Sequence, residues 1–275
     1  MVPVLRIVLA GIVAACVIGA SGCGGVTYQR EAVAGAVQDL LTHEGLQASV
    51  RLLEHTLAVK VDYPGALRQA DDQISLGADF DKVLQIVIPQ IHRVLLSTNA
   101  PMDFYVILIG DPALPGAYLT MVRYLDDVRR AHANMLDVPE MYSRTVFDLN
   151  YVGAQPVTIE QYVPRDIQLE EFLSWQLARR IQTRLTEELQ ATGAAEVGRC
   201  GGEFRNGEFA FTLNVAPAGD ALDEGTARDV FQAATTVIAK VLSSYRFDKF
   251  SAVRLILPTT GQHLVLPKAR LEIFQ

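Results

Sequence analysis

Between residues 28 and 45 apolar side chains return every fourth position, at Val33, Val37 and Leu41 with Leu40 beside them, and Gly45 follows. That period predicts a helix over Tyr28 to Gly45 with one buried stripe, which the glycine stops. The pattern then changes to alternation in Ala48-Ser49-Val50-Arg51-Leu52 and again from Leu57 to Tyr63, which predicts two strands with one buried face each. Pro64-Gly65 ends the second, and a polar loop leads to Asp79 as N-cap of a helix reaching Thr98. Its stripe is Phe80, Val83, Leu84, Val87, Ile91, Val94 and Leu95, and Pro89 should kink it. Phe104 to Ile109 is almost wholly apolar, as a central strand is, and after a Gly/Pro-rich loop Tyr118 to Leu125 predicts another.

The second half repeats this order. From Phe172 to Leu189, residues Ile181, Leu185 and Leu189 take the spacing of Val33, Val37 and Leu41, and Gly193 falls where Gly45 did. A strand around Val197 follows, then Asn206-Gly207, a strong signal for a tight hairpin turn, then a strand from Phe209 to Val215. The helix expected over Thr226 to Tyr245 sets Val230, Phe231, Ile238, Val241 and Leu242 against Val83, Leu84, Ile91, Val94 and Leu95 at a nearly identical offset. Val253 to Leu257 and His263 to Leu266 complete the set as strands.

The common order predicts an α+β protein built from internally duplicated α-β-β-α-β-β units, with antiparallel sheet covered on one face by helices. A third helix, Asp126 to Leu136, follows the first unit. The chain divides into a leader (1–22), a first repeat unit (23–136), a Pro-bearing linker (137–166) and a second repeat unit (167–275). A groove between the units is the default place for a ligand.

The leader carries one charge, Arg6, then an apolar run from Ile7 to Ile18 that is short for a membrane span, as in secretory signal peptides. Ala20-Ser21-Gly22 directly before Cys23 resembles the lipobox of bacterial prolipoproteins. That resemblance covers the leader alone and implies that Cys23 is diacylated and becomes the first residue of the mature protein. Ala20 stands where the family prefers Leu, and Val13-Ala14-Ala15-Cys16 is a rival box with a shorter apolar core. An ordinary cleaved signal or an uncleaved anchor is the alternative. The expectation is an exported lipoprotein, held at the periplasmic or extracellular side of a membrane through Cys23, since two acyl chains anchor durably where one does not.

The chain carries 24 basic and 31 acidic residues, a net charge of −7, and loss of Arg6 makes it more acidic. That argues against a nucleic-acid partner. With Cys16 discarded and Cys23 acylated, Cys200 has no second thiol for an internal disulfide.

No phosphate-binding, metallohydrolase or nucleophile-elbow spacing occurs. Arg199 beside Cys200 could favour a thiolate, with a base to come from His43, His55, His92, His132 or His263, but a lone strand cysteine is ordinarily a small buried residue. Acidic residues 71–81, including Asp71, Asp72, Asp79 and Asp81, and the comparable Asp220, Asp223 and Glu224, are read as helix capping in preference to a metal site. The charges Glu170, Glu171, Arg179, Arg180, Arg184, Glu187 and Glu188 predict a solvated helix face with i,i+4 pairs, and Trp175 lies off its main stripe, against core or linker. The sequence therefore points to a lipid-anchored envelope protein without catalytic residues, cofactor or metal, binding an envelope protein or a small apolar ligand. The alternatives are an envelope hydrolase with its site between the units, or a carrier of lipid.

Overall fold

A computed structural model describes residues 27–271 except positions 72, 154, 156, 157 and 220. The leader, Cys23, Asp72 and Asp220 lie outside the described residues.

Two helices and four strands open the chain: α1 (Arg30–His43), β1 (Ala48–Leu52), β2 (Thr56–Asp62), β3 (Leu67–Ala70), β4 (Gln73–Leu76) and α2 (Phe80–Leu95). Next come β5 (Phe104–Gly110), β6 (Ala117–Tyr124), α3 (Leu125–His132), α4 (Val138–Arg144), β7 (Val146–Tyr151) and α5 (Ile159–Tyr162). The second half has α6 (Leu169–Thr192), β8 (Ala195–Val197), β9 (Gly201–Arg205), β10 (Glu208–Thr212) and β11 (Val215–Pro217). It ends with α7 (Glu224–Tyr245), β12 (Ala252–Leu257), β13 (Gln262–Pro267) and α8 (Lys268–Leu271).

Two separate main sheets form, in the order β1-β2-β5-β6-β7 and β13-β12-β10-β9. Each centres on a parallel pair, β2 with β5 and β10 with β12, flanked by antiparallel hairpins. The all-antiparallel expectation is thus corrected to mixed sheets. A helix joins the two hairpins of each half, and crossing over the sheet face returns the chain in its starting direction, which makes the central strands parallel.

Apart from β7, the two main sheets share this pairing scheme. Leu57 lies opposite Tyr105 and Val59 opposite Ile107, as Phe209 lies opposite Val253 and Phe211 opposite Leu255. The paired stripes Val33, Val37, Leu41 and Ile181, Leu185, Leu189 are buried, as are Val83, Ile91, Val94 and Val230, Ile238, Val241. Each such side chain contributes about 1.5–3 kcal/mol of apolar burial. Gly45 and Gly193 both adopt left-handed backbone after their helices, at φ 79° and 65°. Asn206 and Gly207, at φ 53° and 78°, make the expected tight hairpin between β9 and β10.

Other expectations change. The polar loop before α2 is a hairpin of β3 and β4, and α2 continues through Pro89. The strand around Val197 is β8, which pairs with β11 outside the main sheet, and Gly201-Gly202 begins the hairpin partner of β10. Residues 137–166 connect the halves but are themselves built in, because β7 pairs with β6 as the fifth strand of the first sheet.

The first sheet is covered on both faces, which corrects the one-face expectation. Its front packs α1 and α2. On its back, Phe104, Val106, Leu108 and Val146 meet Ile159, Val163, Ile167 and Phe172, and every residue of β5 is buried. Twenty-four residues give α6 a length of about 36 Å, enough for its first turns to pack behind the first sheet while the rest covers the second. Arg51 donates to the Val163 carbonyl at 2.8 Å, and Asp166 accepts the backbone N–H groups of Glu54 and His55 at 3.2 and 2.7 Å, pinning the connection to the β1–β2 turn.

Candidate functional site

The back of the first sheet loses its apolar character toward β7. Tyr118, Thr120 and Val122 of β6 share that face, and Thr120 lies directly opposite Asp148 of β7. Trp175, Ala178 and Arg179 stand one turn apart on α6 and approach these residues, with Tyr162 of α5 and Arg199 to Gly202 closing the far side. A cleft of about 380 Å³ results, lined from both halves of the chain.

Its electrostatic centre is Asp148. Arg179 and Arg199 both donate to it, one to each oxygen, Arg199 at 2.6 Å. Asn214 Nδ2 donates to the Arg199 carbonyl at 2.6 Å and holds that stretch of backbone in place. Two guanidiniums on one carboxylate leave a local excess of one positive charge, and Arg199 keeps 63% of its side chain exposed. Tyr162 stands edge-on to Tyr118, ring centres 5.3 Å apart, and burial raises the pKa of both phenols. The Thr120 hydroxyl is buried and completes no hydrogen bond of good geometry, its polar neighbour being the Tyr162 phenol, whose pKa it lowers against the larger effect of burial.

Gly202 lets β9 come this close. A Cβ there would lie 2.4 Å from the Ser174 carbonyl oxygen of α6 and 2.9 Å from the Phe211 ring.

Cys200 borders the cleft but is buried, and burial pushes its thiol pKa up, away from the thiolate a nucleophile needs. No histidine lines the cleft. His43 ends α1, His55 lies in the β1–β2 turn with Nδ1 2.7 Å from the Pro101 carbonyl, and His263 is exposed on β13. His92 and His132 do come together, with Nδ1 and Nε2 3.3 Å apart. Among the described residues, no group of three or more His, Cys, Asp or Glu is placed to hold a metal ion.

The acidic loops separate in role. Asp223 caps α7 by accepting the Thr226 N–H at 2.9 Å, and hydrogen bonds from Thr226 lower its pKa. The Asp79 side chain makes no such bond to α2. Among the described residues of α6, only Arg184 and Glu188 pair at i,i+4. Arg179 reaches Asp148, Arg180 reaches Glu140 at 3.0 Å and Glu171 holds Arg165, so much of the expected solvated face joins α6 to the preceding segment.

Trp175 was legible as a tryptophan off the main stripe. Asp148 and Thr120 belong to no motif, and the one local sign is that Asp148 shares the alternation of Val146 in Val-Phe-Asp-Leu, a carboxylate on a face that is otherwise apolar. No protein-family model matches this chain, and no curated protein matches it either.

Proposed function

We propose that this protein is an exported, lipid-anchored binding protein that holds a small anionic amphiphile in the cleft between its halves. The observation that carries the reading is the convergence of Arg179 and Arg199 on Asp148 beside Trp175 and the buried Thr120 hydroxyl, which neighbours the Tyr162 phenol. A carboxylate or phosphate group would meet the exposed Arg199 fork, the hydroxyl would pair with a second polar atom, and an apolar body would lie against Trp175, Val122 and Val146. The raised thiol and the lack of a lining histidine favour binding over hydrolysis. Anchoring rests on Cys23 and its preceding small residues. We also infer that the halves arose by duplication of one unit, which their common strand order and registers support.

Trp175 is the sole tryptophan of the chain, so its fluorescence reports on the cleft. Octanoate and phenylacetate should shift it saturably, octylamine should not, and Arg199→Ala should weaken the response about tenfold. Equal response to carboxylate, alcohol and amine, or none, overturns the cleft reading. Cys23→Ala should release the protein from membranes, and continued partition into detergent would overturn the anchor.

A further inference from the structure

Two arginines of the first half are almost equally buried, Arg123 at 6% exposed and Arg144 at 5%. Arg144 has two carboxylates, Asp127 Oδ1 and Glu140 Oε1, each at 2.9 Å. Arg123 has neutral partners only. Its Nε donates to Thr145 Oγ1 at 3.1 Å, one Nη donates to the Tyr105 hydroxyl at 3.2 Å, and the guanidinium lies over the Tyr142 ring at 5.9 Å. Among the described residues no carboxylate comes within 4 Å of it.

A buried guanidinium without an anion is unfavourable, and here it stands in a chain with a net charge of −7. The Tyr142 ring lies over it, and the neighbouring stretch of chain exposes further apolar side chains. Tyr142 is 56% exposed, and Val138, one turn before it on α4, is 69% exposed, as is Met135 in the preceding turn. Tyrosine, methionine and arginine together are the composition of an interface centre. His92 and His132, joined to the same Tyr105 hydroxyl through His92 Nε2 at 2.9 Å, add donors or neutral rings and no negative charge.

We propose that this surface docks a protein partner, which inserts an aspartate or glutamate carboxylate beside Arg123 and lays aliphatic side chains on Val138, Tyr142 and Met135. The partner's carboxylate completes the ion pair that Arg144 makes within the chain and Arg123 does not. The three exposed apolar side chains would add nothing to the binding of a free inorganic anion, which is why the occupant is a polypeptide. The proposal is independent of the cleft.

The test places a benzoylphenylalanine photo-cross-linker at Val138 in the full chain, made in the cells that normally contain it. The expected product is a cross-link to a protein segment that contains Asp or Glu, with its yield lowered about tenfold by Tyr142→Ala and by Arg123→Gln, and unchanged by Arg199→Ala in the cleft. Tyr142 is exposed, so its truncation keeps the test valid if Arg123→Gln fails to fold. Attachment to lipid only, attachment to a segment without a carboxylate, a yield insensitive to Tyr142→Ala, or no adduct each overturns the proposal.

Discussion

The Tyr245 hydroxyl, at the end of α7, donates to Asp127 Oδ2 of α3 at 2.5 Å, which ties the second half of the chain to the first. Around this bond Arg144 stacks on the Tyr245 ring at 4.6 Å and holds the other Asp127 oxygen, while Gln176 Nε2 donates to the tyrosine hydroxyl and to the Arg144 carbonyl. Asp127 is 2% exposed, and burial outweighs these partners, so its carboxyl pKa is raised.

Tyr245→Phe removes the donor while keeping the ring, and leaves a buried carboxylate oxygen without its shortest bond. The expected loss is about 1–3 kcal/mol in urea unfolding. A loss indistinguishable from zero would mean that the packing of Phe172 on Phe104 joins the halves without help from the polar network.

His92 gives the fold an acid limit. Arg123 donates to the Tyr105 oxygen, which frees the tyrosine proton for His92 Nε2 and leaves Nδ1–H facing His132. Burial, with Arg123 and His132 nearby, pushes the His92 pKa down to about 3. An unfolded histidine titrates near 6.5, so the contribution of neutral His92 is complete above that pH and is lost as pH falls toward 3. The decline is at most about 1.4 kcal/mol per pH unit, and His92→Gln should flatten the stability difference between pH 7 and pH 4.5. An unchanged slope would place the acid sensitivity elsewhere.

Thr120→Val replaces the buried hydroxyl beside the Tyr162 phenol with a methyl group of similar shape. Stability should stay level or rise by up to about 1 kcal/mol, while octanoate should bind the cleft less tightly. Destabilisation would show that the contact of the hydroxyl with the Tyr162 phenol, or with a bound water, holds the fold.

Gly45→Ala and Gly193→Ala test the matching helix ends. Among the described residues no atom lies within 4 Å of a Cβ built at either position, so the expected penalty is backbone strain at positive φ. Each should cost about 1–2 kcal/mol in thermal or urea unfolding. A neutral substitution at one would show that its helix can end in another way.

Much of the body was legible because its determinants are local. A helix against a sheet must bury one side, so Val83, Ile91 and Val94 and their counterparts Val230, Ile238 and Val241 announce themselves by period. Asn206-Gly207 states its turn because left-handed backbone suits those residues. The strand β9 was hidden because glycines 201 and 202 carry no alternating side chains, and the β3–β4 hairpin because its short strands are mostly polar.

By itself, then, the sequence determined the five longer helices α1, α2, α3, α6 and α7, most core positions and the order that the two halves share, since periodicity and turn chemistry act between near neighbours, while the short α4, α5 and α8 carry too few residues to show a period. Only the tertiary structure decided the parallel central pairs, the place of β7 in the first sheet and the wrapping of α6 over both sheets. It also decided the cleft, where Thr120, Asp148, Trp175, Arg179 and Arg199 meet from separate elements. Ion pairs between elements, buried hydroxyls and cavities depend on distances across the fold, and a local pattern carries no record of them.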